Sequence, residues 1–289
     1  MITKPNVKIN LGLNVIRKRE DGFHDLETLF VPYFGISDTL EIITGDDYSH
    51  TSAAMFAKYA PEMLAQGISE DGKLMITIAR EEGVDWDPLK DLCAKAYYIL
   101  AEDFQLPPVK IFLEKTSPVG AGLGGGSSDA AFALRMLNEI CGLGLDEQKL
   151  ASYAARLGSD CAFFIYNRPM IGEGRGEVLT PYELEGFDFG PEGMVSSRYD
   201  LQVLTPEGVA VSTADAYRGI KPHLPEVPLR EALAKPVEQW QDVLFNDFEE
   251  TVFAKYPELA AIKKSLYDSG AVYACMSGSG SALFALYEK

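Results

Sequence analysis

The stretch Pro118-Val119-Gly120-Ala121-Gly122-Leu123-Gly124-Gly125-Gly126-Ser127-Ser128-Asp129-Ala130-Ala131 places five glycines and two serines between a strand-like run and a helix-like run. Because glycine has no Cβ, several backbone N–H groups can turn toward one point, and a following helix adds the positive end of its dipole. The stretch therefore predicts a loop that holds the phosphates of a nucleotide mainly by its main chain. The predicted nucleotide-binding residues are Pro118, Gly120, Gly122, Leu123, Gly124, Gly125, Gly126, Ser127 and Ser128.

Two better-known glycine-rich loops do not fit this stretch. Residues 120–125 satisfy G-x-G-x-x-G, but a dinucleotide fold needs its first glycine directly after the strand, and Thr116-Ser117-Pro118 intervenes here. A Walker loop ends in Gly-Lys-Ser/Thr, and this one has Gly126-Ser127-Ser128 without a lysine. The remaining alternative is a surface turn without a ligand, but a turn needs one or two glycines, not five.

Length and charge limit the classes of protein that remain. The chain has 289 residues, 47% of them hydrophobic, which suffices for two domains or one large one. The 26 basic and 43 acidic residues give 26 − 43 = −17, which argues against a nucleic-acid backbone or an anionic membrane as partner. An anionic substrate therefore needs backbone amides, a few placed lysines and a metal ion at its site.

The remaining composition points to the cytoplasm and to free thiols. No apolar run approaches the roughly 20 residues that span a bilayer, and the first residues lack the apolar stretch of a signal peptide, so a cytoplasmic protein is expected. The cysteines make no C-x-x-C pair, and the three histidines show no metal-ligand spacing. Neither a zinc site nor a disulfide framework is predicted, and a magnesium ion held by phosphate oxygens would need neither residue type.

Local patterns predict an α+β fold. Residues 6–16 alternate apolar with polar side chains, which predicts a strand that presents Lys8 and Asn10 on one face. A strand is expected at 109–115, directly before the glycine-rich loop, and helices at 128–140 and 146–157. The polar segment from about 46 to 71 suggests no function.

Three segments together resemble the superfamily of galactokinase, homoserine kinase, mevalonate kinase and phosphomevalonate kinase, the GHMP kinases. They are Lys8-Ile-Asn10-Leu-Gly-Leu, the stretch 118–131, and Met276-Ser277-Gly-Ser279-Gly-Ser281. The resemblance implies a two-domain GHMP kinase fold: a larger N-terminal nucleotide-binding domain, similar to ribosomal protein S5 domain 2, at 1–182, and a smaller C-terminal α+β domain at 183–289. It also implies that the active site occupies the cleft between the two domains.

The resemblance assigns catalytic roles to two residues. Asp160, in a Gly-Ser-Asp turn, matches the general base of the superfamily, and Lys8 matches the cation beside it. A carboxylate paired with a lysine stays ionised near neutral pH and can accept a proton from an attacking hydroxyl. The alternatives are a helix N-cap for Asp160 and a solvated strand lysine for Lys8.

Further residues are implied as contacts to nucleotide or substrate. Asn10 matches a position that orients a hydroxyl or a phosphate oxygen, with a strand-edge polar residue as the alternative. Ser127 or Ser128 can place its hydroxyl on a phosphate or, for Ser128, on the magnesium of Mg-ATP, although serine is equally natural as a helix N-cap. Gly278 and Ser279 resemble a second glycine loop that closes over phosphates.

The extended first motif, Asp21-Gly22-Phe23-His24-Asp-Leu-Glu-Thr-Leu-Phe30, narrows the substrate. It resembles the branch that phosphorylates a cytidyl diphosphate sugar alcohol, 4-diphosphocytidyl-2-C-methyl-D-erythritol, in non-mevalonate isoprenoid precursor biosynthesis. In that branch an aromatic at the position of Phe23 stacks on cytosine and a histidine at the position of His24 bonds the edge of the base. A second aromatic from the smaller domain completes the sandwich, and its expected position holds Val211. Asp91 also departs from the usual asparagine that opens a helix near the adenine.

The resulting hypothesis is an ATP-dependent kinase that uses Mg²⁺ and transfers a phosphoryl group to this alcohol. One alternative is a kinase of the same superfamily that acts on homoserine, mevalonate or a sugar. Another is a catalytically inactive relative that senses a ligand. The sequence sets no oligomeric state.

Overall fold

The computed structural model describes residues 1–45, 47–190 and 193–289. Its strands are β1 (Ile2–Thr3), β2 (Asn6–Lys18), β3 (His24–Ser37), β4 (Thr39–Thr44), β5 (Leu64–Ile68), β6 (Leu74–Arg80), β7 (Val109–Lys115), β8 (Met170–Gly174), β9 (Val178–Pro181), β10 (Asp188–Gly190), β11 (Gly193–Val195), β12 (Tyr199–Leu204), β13 (Ala271–Met276) and β14 (Leu283–Glu288). Its helices are α1 (Thr51–Lys58), α2 (Leu92–Ala101), α3 (Gly125–Ile140), α4 (Glu147–Leu157), α5 (Cys161–Tyr166), α6 (Thr213–Arg218), α7 (Leu229–Leu233), α8 (Phe248–Lys255) and α9 (Pro257–Asp268). Short 3₁₀ turns occupy Pro61–Met63, Pro88–Lys90 and Val237–Asp242.

The chain forms two compact units, each built from several segments. Unit 1 comprises residues 1–7, 35–117 and 125–167, and unit 2 comprises residues 8–34, 118–124 and 168–289. The α+β fold class is confirmed. The domain division at residue 182 stays a prediction.

Unit 1 contains a five-stranded sheet in the order β1-β4-β7-β6-β5. β7 runs parallel to β6 and antiparallel to β4, so it lies in the middle of the sheet and ends at Lys115, three residues before the glycine-rich loop. The strand range 109–115 is confirmed. α3 packs against α2, α4 and α5, which bury its apolar face.

α3 begins three residues earlier than the sequence predicts. Its first residue is Gly125, whereas Ser128 was expected because serine is a favoured N-cap and glycine is a poor helix former. Glycine is required at Gly125, because a Cβ there would lie 2.4 Å from the hydroxyl oxygen of Ser117. Both serines therefore lie inside the first turn, and the alternative that one of them is the N-cap of the helix is wrong.

The segment 47–71 folds as α1, a 3₁₀ turn that begins at Pro61, and β5, the edge strand of the sheet. Its start is held by Glu41 in β4. This buried carboxylate accepts hydrogen bonds from the Ser49 hydroxyl (2.7 Å) and from the N–H groups of His50 (3.0 Å) and Thr51 (2.8 Å). A carboxylate from the sheet therefore caps α1, which no local pattern predicts.

Unit 2 contains a four-stranded sheet, β2-β3-β8-β9, and a three-stranded antiparallel sheet, β12-β14-β13. Apolar residues of β2, α8, α9 and the second sheet form its core, with Leu13, Phe248 and Leu283 among the buried members. The strand predicted at 6–16 is confirmed. β2 is buried on both faces as far as Val15, so the polar residues along it are interior residues.

Candidate active site

The glycine-rich loop has a backbone that only glycine adopts easily. Gly120, Gly122 and Gly124 have φ angles of 73°, 76° and 74°, in the left-handed region. At Gly122 space is also limiting, because a Cβ there would lie 2.1 Å from the carbonyl oxygen of Ser277. The loop therefore approaches the second glycine motif more closely than any side chain allows.

α3 follows the loop directly, and its first turn supplies backbone N–H groups without partners inside the helix. Gly126 is exposed, Ser127 is half-buried and Ser128 is buried. Within the described residues the Ser128 hydroxyl has no hydrogen-bond partner. The start of α3 therefore offers backbone N–H groups, the positive end of a helix dipole and hydroxyl groups, which are donors that suit phosphate.

Lys8 is buried in β2 rather than solvated. Its ammonium group donates to Asn10 Oδ1 (2.5 Å) and to the carbonyl oxygen of Gly122 (2.8 Å), and it lies 5.5 Å from the ring centre of Phe30. A buried ammonium is costly unless such acceptors surround it. The alternative of a solvated strand lysine is wrong.

Asn10 is also buried, so it is not a strand-edge residue facing solvent. Its Oδ1 accepts from Lys8, and its Nδ2 donates to the hydroxyl of Thr28 at 3.1 Å. Asn10 therefore fixes the position of Lys8. A direct contact between Asn10 and a substrate stays a prediction.

The second glycine motif packs against the first. The Ser277 hydroxyl donates to the carbonyl oxygen of Gly122 (3.1 Å), and a Cβ on Gly278 would lie 2.9 Å from the same oxygen. Ser279, half-buried, shares a hydrogen bond of 3.1 Å with the Thr213 hydroxyl. All three motifs singled out in the sequence thus contribute to one network, through Lys8, Gly122 and Ser277.

A residue that the sequence patterns did not single out holds the second motif in place. Asn246, buried before α8, donates through Nδ2 to the carbonyl oxygens of Met276 (2.7 Å) and Gly278 (2.8 Å). Its Oδ1 accepts from the N–H of Phe248 at 3.0 Å. The sequence pattern of a polar residue just before an amphipathic helix predicts only an N-cap. It does not predict the hydrogen bonds from Asn246 to residues 30 and 32 positions away.

Asp160 occupies the N-cap position of α5 but makes no capping hydrogen bond. Its φ and ψ are −84° and −14°, which are helical values, whereas capping residues usually have extended backbone. The Ser159 hydroxyl lies 3.4 Å from its Oδ1. The carboxylate is therefore not committed to helix capping, and its role as a base stays a prediction.

Phe23 and His24 lie where β3 begins. Phe23 is 54% exposed, and the guanidinium of Arg175 lies 5.0 Å from its ring centre. The His24 imidazole stacks on the ring of Tyr217, with centroids 4.9 Å apart and planes inclined by 24°. Burial and, to a smaller extent, the charge of Lys18 lower the pKa of His24 below its ordinary value of 6.5, so the imidazole is neutral at neutral pH.

The position expected for the second aromatic offers no side chain to a base. Val211 is buried in the core of unit 2 and cannot present a face to a base. Tyr217, six residues further on in α6, stacks on His24 and packs edge-on against Phe248. Tyr217 is half-buried, and spacing alone does not distinguish such a ring on a short helix from a core residue.

Asp91, where the resemblance implies an asparagine, is the N-cap residue of α2. One carboxylate oxygen accepts from the N–H of Cys93 (2.8 Å), and the other accepts from the indole N–H of Trp86 (3.0 Å). Both oxygens thus have protein donors. The departure from asparagine is explained by Trp86, since an asparagine amide nitrogen could not accept that bond.

Within the described residues no group of three or more His, Cys, Asp or Glu side chains is placed to hold a metal ion. A magnesium ion carried by nucleotide phosphates needs few protein ligands, and the hydroxyl of the buried Ser128, which has no hydrogen-bond partner among the described residues, is an oxygen of the kind that it binds. Among the described ranges, none of the helices combines the length and apolar character that spanning a bilayer requires.

Comparison with known proteins defines the class. The model for the GHMP kinases N terminal domain matches residues 91–168, and the model for the GHMP kinases C terminal domain matches residues 229–289. A homoserine kinase from Cytophaga hutchinsonii has the same fold, with a TM-score of 0.61 at 16% identity over 98% of this chain and 85% of that one.

Two further relatives are more similar. The 4-diphosphocytidyl-2-C-methyl-D-erythritol kinase of Bacteroides fragilis is 45% identical over 99% of this chain and 92% of the relative. A crystal structure of 4-(cytidine 5'-diphospho)-2C-methyl-D-erythritol kinase has a TM-score of 0.73 at 29% identity and covers 99% of this chain and 90% of that one. The chain therefore belongs to the 4-diphosphocytidyl-2-C-methyl-D-erythritol kinase family of the GHMP kinases.

Proposed function

We propose that this protein is an ATP-dependent kinase that phosphorylates a hydroxyl of 4-diphosphocytidyl-2-C-methyl-D-erythritol. The observation that carries the proposal is the network of Lys8, Asn10, Gly122 and Ser277, because it joins a buried ammonium to a loop shaped for phosphate. The identity of the substrate is inferred from family membership, because the names of the relatives state it. A cytoplasmic enzyme that acts on a small molecule, with neither nucleic acid nor membrane as partner, follows from the same proposal and from the net charge of −17.

The proposed chemistry assigns a separate task to each group. The main-chain N–H groups of the loop and of the first turn of α3 bind the phosphates of ATP. Asp160 accepts the proton of the attacking hydroxyl as the oxygen–phosphorus bond forms. Lys8 stabilises the negative charge that develops on the oxygens in the transition state. Magnesium, held by the nucleotide and the Ser128 hydroxyl, would neutralise phosphate charge when bound.

The cytosine end of the substrate is assigned to the aromatic residues of unit 2. Phe23 offers an exposed ring on which a base can stack, and Tyr217 takes the role of the second aromatic. The neutral imidazole of His24 can bond the edge of the base, since it presents either a donor or an acceptor at each nitrogen. The loop around Gly278 and Ser279 binds substrate phosphates.

A coupled assay of ADP release tests the proposal against a panel of alcohols. The cytidyl compound should be turned over at least a hundredfold more efficiently than homoserine, mevalonate or galactose, because a site built for hydrogen bonds discriminates strongly against substrates that lack the group. Equal rates on an alcohol without cytosine would refute the substrate assignment. ATP consumption independent of any acceptor would favour a ligand-sensing relative instead.

Substitution at the aromatic residues refines this test. Tyr217→Ala and Phe23→Ala should each raise the KM for the cytidyl compound about tenfold and leave the KM for ATP unchanged, since base–aromatic stacking contributes about 1–3 kcal/mol. Phe56→Ala is a matched control, because Phe56 has the same 54% exposure and lies on α1. If Tyr217→Ala bound the substrate normally, Tyr217 would not be the second aromatic.

A further inference from the structure

A buried ionic cluster lies at the end of β7 in unit 1 and has no part in the proposed chemistry. We define the Lys115 cluster as Asp38, Lys115, Ser117 and Asp129, whose side chains are all buried. Lys115 Nζ donates to Asp38 Oδ2 (2.5 Å), to Asp129 Oδ2 (2.7 Å) and to the Ser117 hydroxyl (3.2 Å). Burial of Lys115 lowers its pKa, but the two carboxylates outweigh this and raise the pKa above its ordinary value.

Asp38 fixes the strand end. Its Oδ1 accepts from the N–H groups of Thr116 and Ser117, both at 2.7 Å, and its Oδ2 accepts from the Ser117 hydroxyl at 2.6 Å. These bonds, together with the ion pair to Lys115, immobilise the three residues that precede the glycine-rich loop. The strand end is therefore rigid before the loop begins.

Asp129 connects the strand end to α3 through its contact with Lys115. It is the fifth residue of α3, four residues beyond Gly125, and its carboxylate accepts a hydrogen bond from Lys115. Within the described residues its second oxygen, Oδ1, has no hydrogen-bond partner. Burial raises the pKa of the Asp129 carboxyl well above its usual range. Lys115 is thus the contact that ties this carboxylate to the sheet.

The fit between strand and helix is close at the same place. A Cβ on Gly125 would lie 2.4 Å from the Ser117 hydroxyl oxygen and 3.5 Å from Lys115 Nζ. The helix therefore starts directly against the cluster. A shift of this start by an ångström would move the N–H groups that face a phosphate, and misplacement of that size can cost about a hundredfold in rate.

Stability alone does not account for the cluster. Buried ion pairs are often no more stabilising than apolar residues of similar volume, because desolvation of the charges cancels much of their attraction. We propose that Lys115 is a positioning residue: through Asp38 and Asp129 it sets the first turn of α3 in the geometry that binds nucleotide phosphate. The proposal rests on the proposed function, since it presumes that this turn binds ATP.

Calorimetric titration with Mg-ADP and the KM for ATP test this role. Lys115→Met should weaken Mg-ADP binding and raise the KM for ATP by about tenfold or more, while the KM for the cytidyl compound changes less than twofold. Lys58→Met is the matched control, because Lys58 pairs with Glu114, the neighbour of Lys115 in β7, but is 60% exposed. It should leave both constants unchanged.

A second variant separates positioning from folding. The double variant combines Lys115→Met with Asp129→Asn, which removes the charge of Asp129 together with that of its partner. Because no unpaired carboxylate is left at position 129, circular dichroism should show a folded protein. If the cluster positions the helix, this folded double variant still binds Mg-ADP weakly. If it binds as the wild type does, the proposal is wrong. Failure of the wild type itself to bind Mg-ADP would instead overturn the proposed function.

Discussion

Lys8 donates a hydrogen bond of 2.8 Å from its ammonium group to the carbonyl oxygen of Gly122. The first strand motif and the glycine-rich loop are thereby joined through a charged donor and a main-chain acceptor. Lys8→Met should lower kcat by about 10²–10³, the usual effect of removing one group that stabilises transition-state charge. Lys8→Arg keeps the charge but not the geometry and should recover only part of the rate. An unchanged kcat in Lys8→Met would exclude Lys8 from catalysis.

Asp160→Asn should reduce turnover by about 10²–10⁴, because an amide cannot accept the proton of the attacking hydroxyl. Mg-ADP binding should survive, since phosphate binding is assigned to main chain. Titration calorimetry and the ADP-release assay measure the two effects. Ser159→Ala is the control, because it removes the neighbouring hydroxyl and leaves the carboxylate. An active Asp160→Asn enzyme would remove the proposed base.

Gly122→Ala and Gly120→Ala separate backbone strain from crowding. Both glycines have nearly the same φ, 76° and 73°, but only Gly122 faces an atom within contact distance, the carbonyl oxygen of Ser277. Gly120→Ala should lower the free energy of unfolding by about 1–2 kcal/mol, because alanine is strained in the left-handed backbone conformation. Gly122→Ala should cost clearly more and also weaken Mg-ADP binding. Urea denaturation compares them, and equal losses would contradict the close approach.

The pKa of His24 predicts a pH dependence of substrate binding. It lies below the ordinary 6.5, so the imidazole is neutral above that pH and becomes protonated as the pH falls through the folded-state pKa. The KM for the cytidyl compound should be flat above pH 6.5 and rise below it, while the KM for ATP should not. The unfolded chain binds this proton more readily, so the stability contribution of His24 is likewise present above 6.5 and lost below.

The His24→Gln variant should abolish this rise in KM, because the amide does not titrate in that range. Steady-state assays between pH 5 and 8 follow the effect. If the rise persists in His24→Gln, another group titrates and the assignment of His24 to the base edge loses its support.

Glu41→Gln should destabilise the fold by about 2 kcal/mol without affecting nucleotide binding. One of the two carboxylate oxygens becomes an NH₂ group, which leaves buried donors at the start of α1 without an acceptor. Thermal unfolding measures the loss, and Glu81→Gln, at an exposed position, should leave the melting temperature unchanged. An unchanged melting temperature in Glu41→Gln would mean that α1 does not depend on the cap from Glu41.

Local patterns predicted much of the fold and part of the site. The period of β7 and the glycine content of 118–126 are properties of consecutive residues, so both could be read directly. The resemblance grouped the motifs that contain Lys8 and Gly122, but the contact between these two residues, 114 positions apart, was not predicted. Asn246, the Lys115 cluster and the cap of α1 by Glu41 were missed, since each joins residues that only tertiary packing brings together.

Tyr217 and Val211 show the same limit in another form. Val211 lies just before α6 and Tyr217 lies near its end, and nothing local distinguishes a ring available to a ligand from a side chain in the core. The packing of unit 2 decides this: Val211 lies in the core, and Tyr217 stacks on His24.

The carbonyl oxygen of Gly122 receives both the Lys8 ammonium and the Ser277 hydroxyl. Every residue type carries this oxygen, so mutagenesis along the loop cannot delete it and can only displace it. Exchanging side chains in 118–124 at positions other than Gly122 would therefore leave the acceptor in place, whereas changes at Lys8 or Ser277 would remove one of its two donors.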